Sequence, residues 1–147
     1  MSLIADRQNQ IIAEFQGLSD WEERYKRIIA MGRELRDMPI EMKTEDNKVK
    51  GCQSQVWLFA ELDSQGLMHI HGDSDAMIVK GLVALLLRMY SGTNPAEILR
   101  TPPEFLRALG FEGHLSPSRA NGLHAMLKQI RNYATAFAYV LKSKSTT

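Results

Sequence analysis

Apolar side chains recur at helical spacing in two segments at the start of the chain. Residues 4–15 place isoleucines and a phenylalanine on one stripe, which predicts an amphipathic helix. A second stripe runs from Trp21 to Leu35, with charged side chains on the opposite face. Ser19, followed three positions later by Glu22, predicts a capping box with Ser19 as the N-cap of this second helix.

The spacing of apolar residues becomes alternating between residues 55 and 71. Residues 55–62 and 67–71 are predicted to be two strands, separated by a turn signal at residues 63–66. One face of the first strand is aliphatic, whereas Trp57 and Phe59 lie on the other face. Val49 is predicted to add a very short edge strand, and residues 51–54 a turn or loop. The segment therefore predicts an antiparallel β-hairpin.

The second half of the chain is predicted to be helical. Residues 76–90 are the most apolar segment and predict a helix that is buried on several sides and ends at Gly92. Asn94 and Pro95 predict the start of a short helix to about residue 99, and residues 104–109 a further turn or two. Ser116 is predicted to be the N-cap of the last long helix.

Helices therefore flank the strands and do not alternate with them. This order predicts one α+β domain over residues 1–147, in which helices cover one face of a small antiparallel sheet of two to three strands. The other face of the sheet, or its loop ends, is expected to stay accessible. Residues 143–147 are predicted to form a frayed, polar tail.

Composition excludes several classes of function. The 147 residues are 44% apolar and 24% charged, with a formal net charge of +1, so the chain has no strongly basic character for binding nucleic acid. No apolar run approaches the roughly 20 residues that span a bilayer, and the N-terminus lacks the pattern of a secretory signal. The single cysteine excludes an intramolecular disulfide and a cysteine-only metal site. We therefore predict a cytoplasmic protein that binds neither nucleic acid nor membrane.

Cys52 is the candidate reactive residue. It follows Gly51 and precedes polar amides, with Lys48 and Lys50 close in sequence, and nearby cations lower the pKa of a thiol. Gly51 also permits backbone conformations that let a partner approach closely. The alternative of a small, buried and unreactive Cys52 stays open, since free cysteine is often buried.

Histidines give weaker candidates for the same chemistry. No local signature connects Cys52 to any of the four histidines, so a Cys–His hydrolase is not favoured. These histidines are His69, His71, His114 and His124. His69 and His71 share a strand face, but without a Cys-x-x-Cys motif a metal site formed with Cys52 is not favoured either.

Charged residues near two helix starts are also candidates. Asp73 and Asp75 are predicted mainly to cap the helix that begins at residue 76, although contact with a partner protein stays open. Arg119 lies in the first turn of the last helix, where a cation opposes the helix dipole. That small local cost favours, weakly, a second role for Arg119.

Taken in order, six short blocks of sequence resemble the SufE/CsdE family of sulfur-acceptor proteins. Any single block is weak evidence, whereas their ordered combination over nearly the whole chain is highly specific. The amino-acid sequence around the cysteine is more similar to that of SufE than to that of CsdE. The blocks are WEERY at 21–25, GCQSQVW at 51–57, GDSDA at 72–76, IVKGL at 78–82, LSPSR at 115–119 and GL at 122–123.

The resemblance implies a function for Cys52. In this family the cysteine takes the outer sulfur of a persulfide held by a PLP-dependent cysteine desulfurase, stimulates that desulfurase, and passes the sulfur to iron–sulfur cluster assembly. The resemblance therefore implies a covalent sulfur carrier that is not an enzyme with turnover of its own. The PLP belongs to the partner, so this chain is expected to bind no cofactor and no metal. The implied fold is shared with IscU-type scaffolds, and one cysteine is too few to hold a cluster alone.

The resemblance also implies partners and secondary residues. A SufS-type cysteine desulfurase is the expected partner and a SufBCD-type scaffold complex a further one, with the carrier as a monomer or weak dimer. Alternatives are a CsdE-like acceptor that feeds a different recipient, and a non-catalytic binding scaffold with an inert Cys52. Several residues in the family blocks are expected to position the cysteine loop or contact the desulfurase: Gly51, Gln53, Gln55, Trp57, Asp73, Asp75 and Arg119.

Overall fold

The structure, a computed structural model, describes residues 3–101, 105–111 and 113–145. Within these residues, two helices precede a hairpin and four helices follow it, as the pattern of the sequence predicts. The elements are α1 (Leu3–Gln16), α2 (Trp21–Glu34), a 3₁₀ turn (Ile40–Met42), β1 (Val56–Leu62), β2 (Met68–Ser74), α3 (Met77–Tyr90), α4 (Pro95–Arg100), α5 (Phe105–Ala108) and α6 (Pro117–Ser145).

The sheet is an antiparallel pair of strands with a short extension at one edge. The register runs from Val56 opposite Ser74 to Leu62 opposite Met68. At the free edge of β1, the Val49 N–H donates to the carbonyl of Val56 at 2.8 Å, and Lys48 forms an isolated bridge with Trp57. The predicted α+β class is confirmed, with the edge strand at Val49 reduced to this bridge.

Helix α3 forms the centre of the core. It packs against α2 on one side and against β2 on the other, while α6 contacts β1 and α4. Most of its residues are buried, which confirms the prediction from its apolar sequence. A Cβ added at Gly81 would lie 2.1 Å from the carbonyl oxygen of Ile28, so the backbones of α2 and α3 touch at this point. Only glycine permits an approach this close.

Most of the predicted helix boundaries agree with the structure. The side chain of Asn94 accepts a hydrogen bond from the Ala96 N–H at 2.9 Å and caps α4. Ser116 accepts a 3.3 Å hydrogen bond from the N–H of Arg119 at the start of α6. Gly92 follows the end of α3 with a φ of +79°, the left-handed conformation that ends many helices.

The predicted N-cap of α2 is wrong by one position. Asp20, not Ser19, is the N-cap, and its carboxylate accepts a 2.9 Å hydrogen bond from the N–H of Glu23. Serine and aspartate are similarly good N-caps, so two adjacent candidates left the sequence pattern ambiguous. Asp20 is the cap because its backbone is extended, with a φ of −147°, while Trp21 already lies in the helix.

Some predicted boundaries fall at the edge of the described residues. The start of the predicted segment 104–109 lies outside them, and α5 begins at Phe105. Helix α6 continues through Ser145 into the segment predicted to fray, and residues 146–147 lie outside the described part. Among the described helices, none combines the length and apolarity that crossing a membrane requires.

Candidate functional site

Cys52 lies in the loop that leads into β1, with its side chain turned against α6. Its Sγ atom is 3.6 Å from the carbonyl oxygen of Gly122, within reach of a weak S–H···O hydrogen bond. The side chain is half-buried, and this burial raises the pKa of the thiol above its usual range, because a thiolate loses hydration there. The resting sulfur is therefore tucked in and protonated at neutral pH.

The cysteine opens into a polar cavity of about 290 Å³ at the start of α6. Arg119 lines this cavity, and among the described residues its guanidinium has no hydrogen bond or ion pair. A neighbouring cavity of about 250 Å³ shares Ser54, Val79 and Arg119 with the first. The first cavity is lined by Cys52, Gln53, Ser54, Val79, Ser116, Ser118, Arg119 and Gly122.

The C-terminal end of the cysteine loop is anchored at the backbone of Gln55. Its N–H donates to the Asp75 carboxylate at 3.0 Å, while its carbonyl accepts from the Ser74 hydroxyl at 2.8 Å and from the Asp75 N–H at 3.2 Å. Asp75 was predicted mainly to cap α3, and that prediction is wrong. The N-cap of α3 is Ala76, which has no side-chain cap. Asp75 instead connects the end of β2 to the loop.

Asp73 is buried and likewise does not cap α3. Strand β2 continues past its predicted end, so Asp73 lies within it, opposite Trp57. One carboxylate oxygen accepts from the Met38 N–H at 3.0 Å and the other from the Ser74 N–H at 2.8 Å. The ammonium groups of Lys80 and Lys43 lie at 3.3 and 3.4 Å. Burial opposes ionisation of Asp73, but these hydrogen bonds and the Lys80 charge outweigh it and lower its pKa.

The other residues in the family blocks surround the loop. Gly51 begins it with a φ of +93°, a left-handed conformation that favours glycine. The side chains of Gln53 and Gln55 are exposed, and that of Trp57 is half-buried beneath the Lys43 ammonium, 5.2 Å from the ring centroid. Gln53 and Gln55 are therefore accessible to a partner, whereas Trp57 is only partly so.

The histidines lie elsewhere in the described structure. The His69 ring is 2.7 Å from the Asp63 carboxylate, and the His71 ring is 3.0 Å from Glu61. His114 stacks on the indole of Trp21, with the two ring centroids 4.2 Å apart. No histidine lines the part of the cysteine cavity that the structure describes. Within the described residues, no three histidine, cysteine or acidic side chains are grouped to hold a metal ion.

Sequence reasoning missed part of the cavity wall. Ser118, Val79 and Gly122 line it but were not singled out as site residues. Their only signal was their place inside the family blocks at 78–82, 115–119 and 122–123. Ser116 was predicted only as an N-cap, and it also lines the cavity. Of the predicted site residues, Cys52, Gln53 and Arg119 line this cavity, whereas Asp73 and Asp75 do not.

Comparison with known proteins gives consistent results. The family model described as "SufE: Fe-S metabolism associated domain" matches residues 9–134. An uncharacterized SufE-like protein from Rhizobium meliloti is 42% identical over 130 residues, covering 86% of this chain and 93% of the relative. One from Synechocystis sp. is 42% identical over 128 residues, covering 87% and 80%. A solution structure of a hypothetical protein from Thermus thermophilus has the same fold, with a TM-score of 0.75, 24% identity, and coverage of 90% of this chain and 96% of that chain.

Proposed function

This chain belongs to the SufE family of domains associated with Fe–S metabolism, and we propose that it is a sulfur carrier that accepts persulfide sulfur on Cys52. The donor is a PLP-dependent cysteine desulfurase of the SufS type, which the carrier stimulates by removing its product. The observation that supports this proposal most directly is the position of the single thiol, half-buried in an open polar cavity that Arg119 also lines.

The transfer is an exchange between thiols without net oxidation. The Cys52 thiolate attacks the terminal sulfur of the desulfurase persulfide, and a new S–S bond forms at Sγ. The S–S bond of the donor breaks, its electron pair stays on the donor cysteine, and that thiolate takes up a proton. The transferred sulfur then leaves by the same reaction toward an acceptor in iron–sulfur cluster assembly, with a SufBCD-type scaffold as the proposed recipient.

The raised pKa of the Cys52 thiol suits a carrier that must not react prematurely. In the cavity the sulfur is protonated and therefore a poor nucleophile. Moving the loop outward would restore hydration, return the pKa of the thiol to its ordinary range and so increase the thiolate fraction. We propose that docking to the desulfurase causes this movement of the loop. Cys52 then becomes reactive only where the donor persulfide is present.

The two ends of the loop define the segment that moves. Gly51 can adopt many backbone conformations, which suits a hinge at the N-terminal end. Gln55 is held to β2 by Ser74 and Asp75 at the other end. Residues 51–54 therefore swing with Cys52, while β1 stays in the sheet.

Residues around the loop have separate proposed roles. Arg119, which lines the cavity, stabilises the anionic persulfide when the loop returns to it. The exposed amides of Gln53 and Gln55 contact the desulfurase. Asp73 holds the segment around Met38 against β2, and Trp57 supports the loop from the sheet.

We propose the cytoplasm as the site of this reaction, because its reducing conditions keep an unpaired thiol reduced. A CsdE-like acceptor, which would use another desulfurase and recipient, is the alternative within the family. The alternative outside it is a binding scaffold in which Cys52 is inert, and burial of the thiol is the observation that favours this scaffold. Both alternatives are distinguished from the proposal by direct measurement of sulfur on the protein.

The decisive experiment incubates the protein with a SufS-type desulfurase and cysteine, followed by intact mass measurement without reductant. We expect the gain of one sulfur atom, its removal by reductant, and no gain in Cys52→Ser. Desulfurase turnover should rise with wild-type protein and not with the variant. A wild-type protein that gains no sulfur beside an active desulfurase contradicts the proposal, and so does a gain that persists in Cys52→Ser.

A further inference from the structure

Gly122 occupies a helical position where the backbone does not require glycine. It lies in the second turn of the long helix α6. Its φ is outside the left-handed region, unlike that of Gly51. In a helix interior, glycine is less favourable than every residue except proline, because it loses the most backbone freedom on folding. Alanine would therefore be the better residue for the helix itself.

Close packing of the resting protein does not require glycine at this position either. An added Cβ would lie 3.5 Å from Cys52 Sγ, an ordinary contact, whereas at Gly81 it would collide with backbone. Apart from Asn121, Leu123 and the backbone of the adjoining helix turns, no other described atom lies within 4 Å of that Cβ. The empty space beside Gly122 therefore belongs to the cavity around the sulfur, and alanine fits beside the thiol.

We infer that the missing side chain of Gly122 keeps room in the cavity for the transferred sulfur of a Cys52 persulfide. The inference rests on the proposed sulfur-carrier function and adds a positioning residue to it. The terminal sulfur would lie about 2.05 Å beyond Sγ, out of line with the Cβ–Sγ bond. A methyl group at position 122 would lie 3.5 Å from Sγ. A terminal sulfur that extends from Sγ toward this methyl would come closer to it than the roughly 3.5–4.0 Å that nonbonded heavy atoms need.

The direction of the missing side chain strengthens this inference. A helical Cα–Cβ bond tilts toward the N-terminus of the helix, so a methyl at Gly122 would point toward the Ser118 and Arg119 end of the cavity. Those residues carry the hydrogen-bond donors that an anionic sulfur needs. The carbonyl of Gly122, which accepts the thiol hydrogen, would repel the same anion. The terminal sulfur is therefore directed into the space that glycine leaves open.

The test compares Gly122→Ala with wild type after loading by sodium tetrasulfide, which needs no desulfurase. The Cys52 thiolate attacks a terminal sulfur of the tetrasulfide, one S–S bond forms as another breaks, and trisulfide leaves. Cyanide then removes the terminal sulfur as thiocyanate, and its rate measures how well the cavity protects that sulfur. We expect removal about tenfold faster in Gly122→Ala, because overpacking displaces the sulfur from the cavity.

Matched controls separate this effect from general damage. Gly17→Ala makes the same change remote from the cavity, where an added Cβ meets only backbone oxygens at 3.5 Å or more, and should match wild type. The unloaded thiol of Gly122→Ala should react with iodoacetamide within about twofold of wild type, and its melting temperature should be equal or higher.

Each outcome decides the inference. Equal cyanide rates in loaded wild type and Gly122→Ala would overturn it, and so would a Gly122→Ala protein that fails to fold, since alanine should fit beside the thiol. A variant that accepts no sulfur while its thiol alkylates normally would support it. A wild type that loads from tetrasulfide but never from a desulfurase would refute the proposed function and leave the comparison at Gly122 intact.

Discussion

Replacing Asp75 with alanine should expose Cys52 by releasing one end of its loop. The carboxylate of Asp75 accepts the Gln55 N–H at 3.0 Å, and two further hydrogen bonds hold the Gln55 carbonyl. Asp75→Ala removes only the first of these bonds and leaves the Ser74 hydroxyl in place. The loop should therefore open more often without unfolding of β1 or β2.

The size of the effect follows from the exposure of Asp75. A hydrogen bond to a solvated carboxylate contributes about 0.5–1.5 kcal/mol after competition with water. If this bond is present only in the closed loop, its loss raises the open population by roughly two- to tenfold. Alkylation of Cys52 by iodoacetamide should accelerate by the same factor, because the tucked sulfur is shielded and protonated.

The assay is the second-order alkylation rate across pH, followed by intact mass. The full profile separates greater access from a lower pKa of the Cys52 thiol. Asp46→Ala is the matched control. Asp46 is exposed and lies shortly before the loop, and its substitution removes the same negative charge. If Asp75→Ala alkylates no faster than Asp46→Ala at every pH, the bond between Asp75 and Gln55 does not restrain Cys52.

Two further substitutions test the scaffold behind the site. Gly81→Ala should lower the free energy of unfolding by about 1–3 kcal/mol or more, because the added methyl forces α2 and α3 apart. Urea unfolding measures this loss. A loss of stability no larger than that of Gly17→Ala would contradict the close contact between the two helices. Asp73→Asn should destabilise the protein by about 1–3 kcal/mol at neutral pH. Folding lowers the pKa of the Asp73 carboxyl. The charge of Asp73 therefore stabilises the folded protein fully at pH values above the pKa of the unfolded carboxyl, about 3.9. This stabilisation is lost as the pH falls through the pKa of the folded carboxyl. The difference in the free energy of unfolding between wild type and Asp73→Asn should therefore become smaller in acid. A difference that does not change with pH would refute a stabilising role for the charge of Asp73.

Several elements could be predicted from the sequence because their signals are local. The run at 76–90 is apolar around most of a helix, and the structure buries most of α3. Asn94 and Pro95 form a helix start that depends only on neighbouring groups. The same locality explains the errors at Asp73 and Asp75. Carboxylates cap helices and also bind strand or loop N–H groups, and the choice depends on what lies opposite them.

The candidate site was predictable only in part. Cys52 stood out because it is the one thiol, set between a glycine and polar amides, and the ordered blocks associated it with a family. The contact between Cys52 and Gly122 joins residues far apart in the sequence. No pattern in either segment shows that α6 would bring its glycine and Arg119 to the same cavity.

The sequence by itself determined the order of helices and strands, the class of the fold and the candidate for the reactive residue. Apolar periodicity and capping groups act over a few residues, and so they can be inferred from neighbours in the chain. Only the tertiary structure decided the state of the thiol, the ionisation of Asp73 and the room beside Gly122. Burial, charge pairing and cavity shape depend on distant segments that share one small volume, and local sequence does not specify that arrangement.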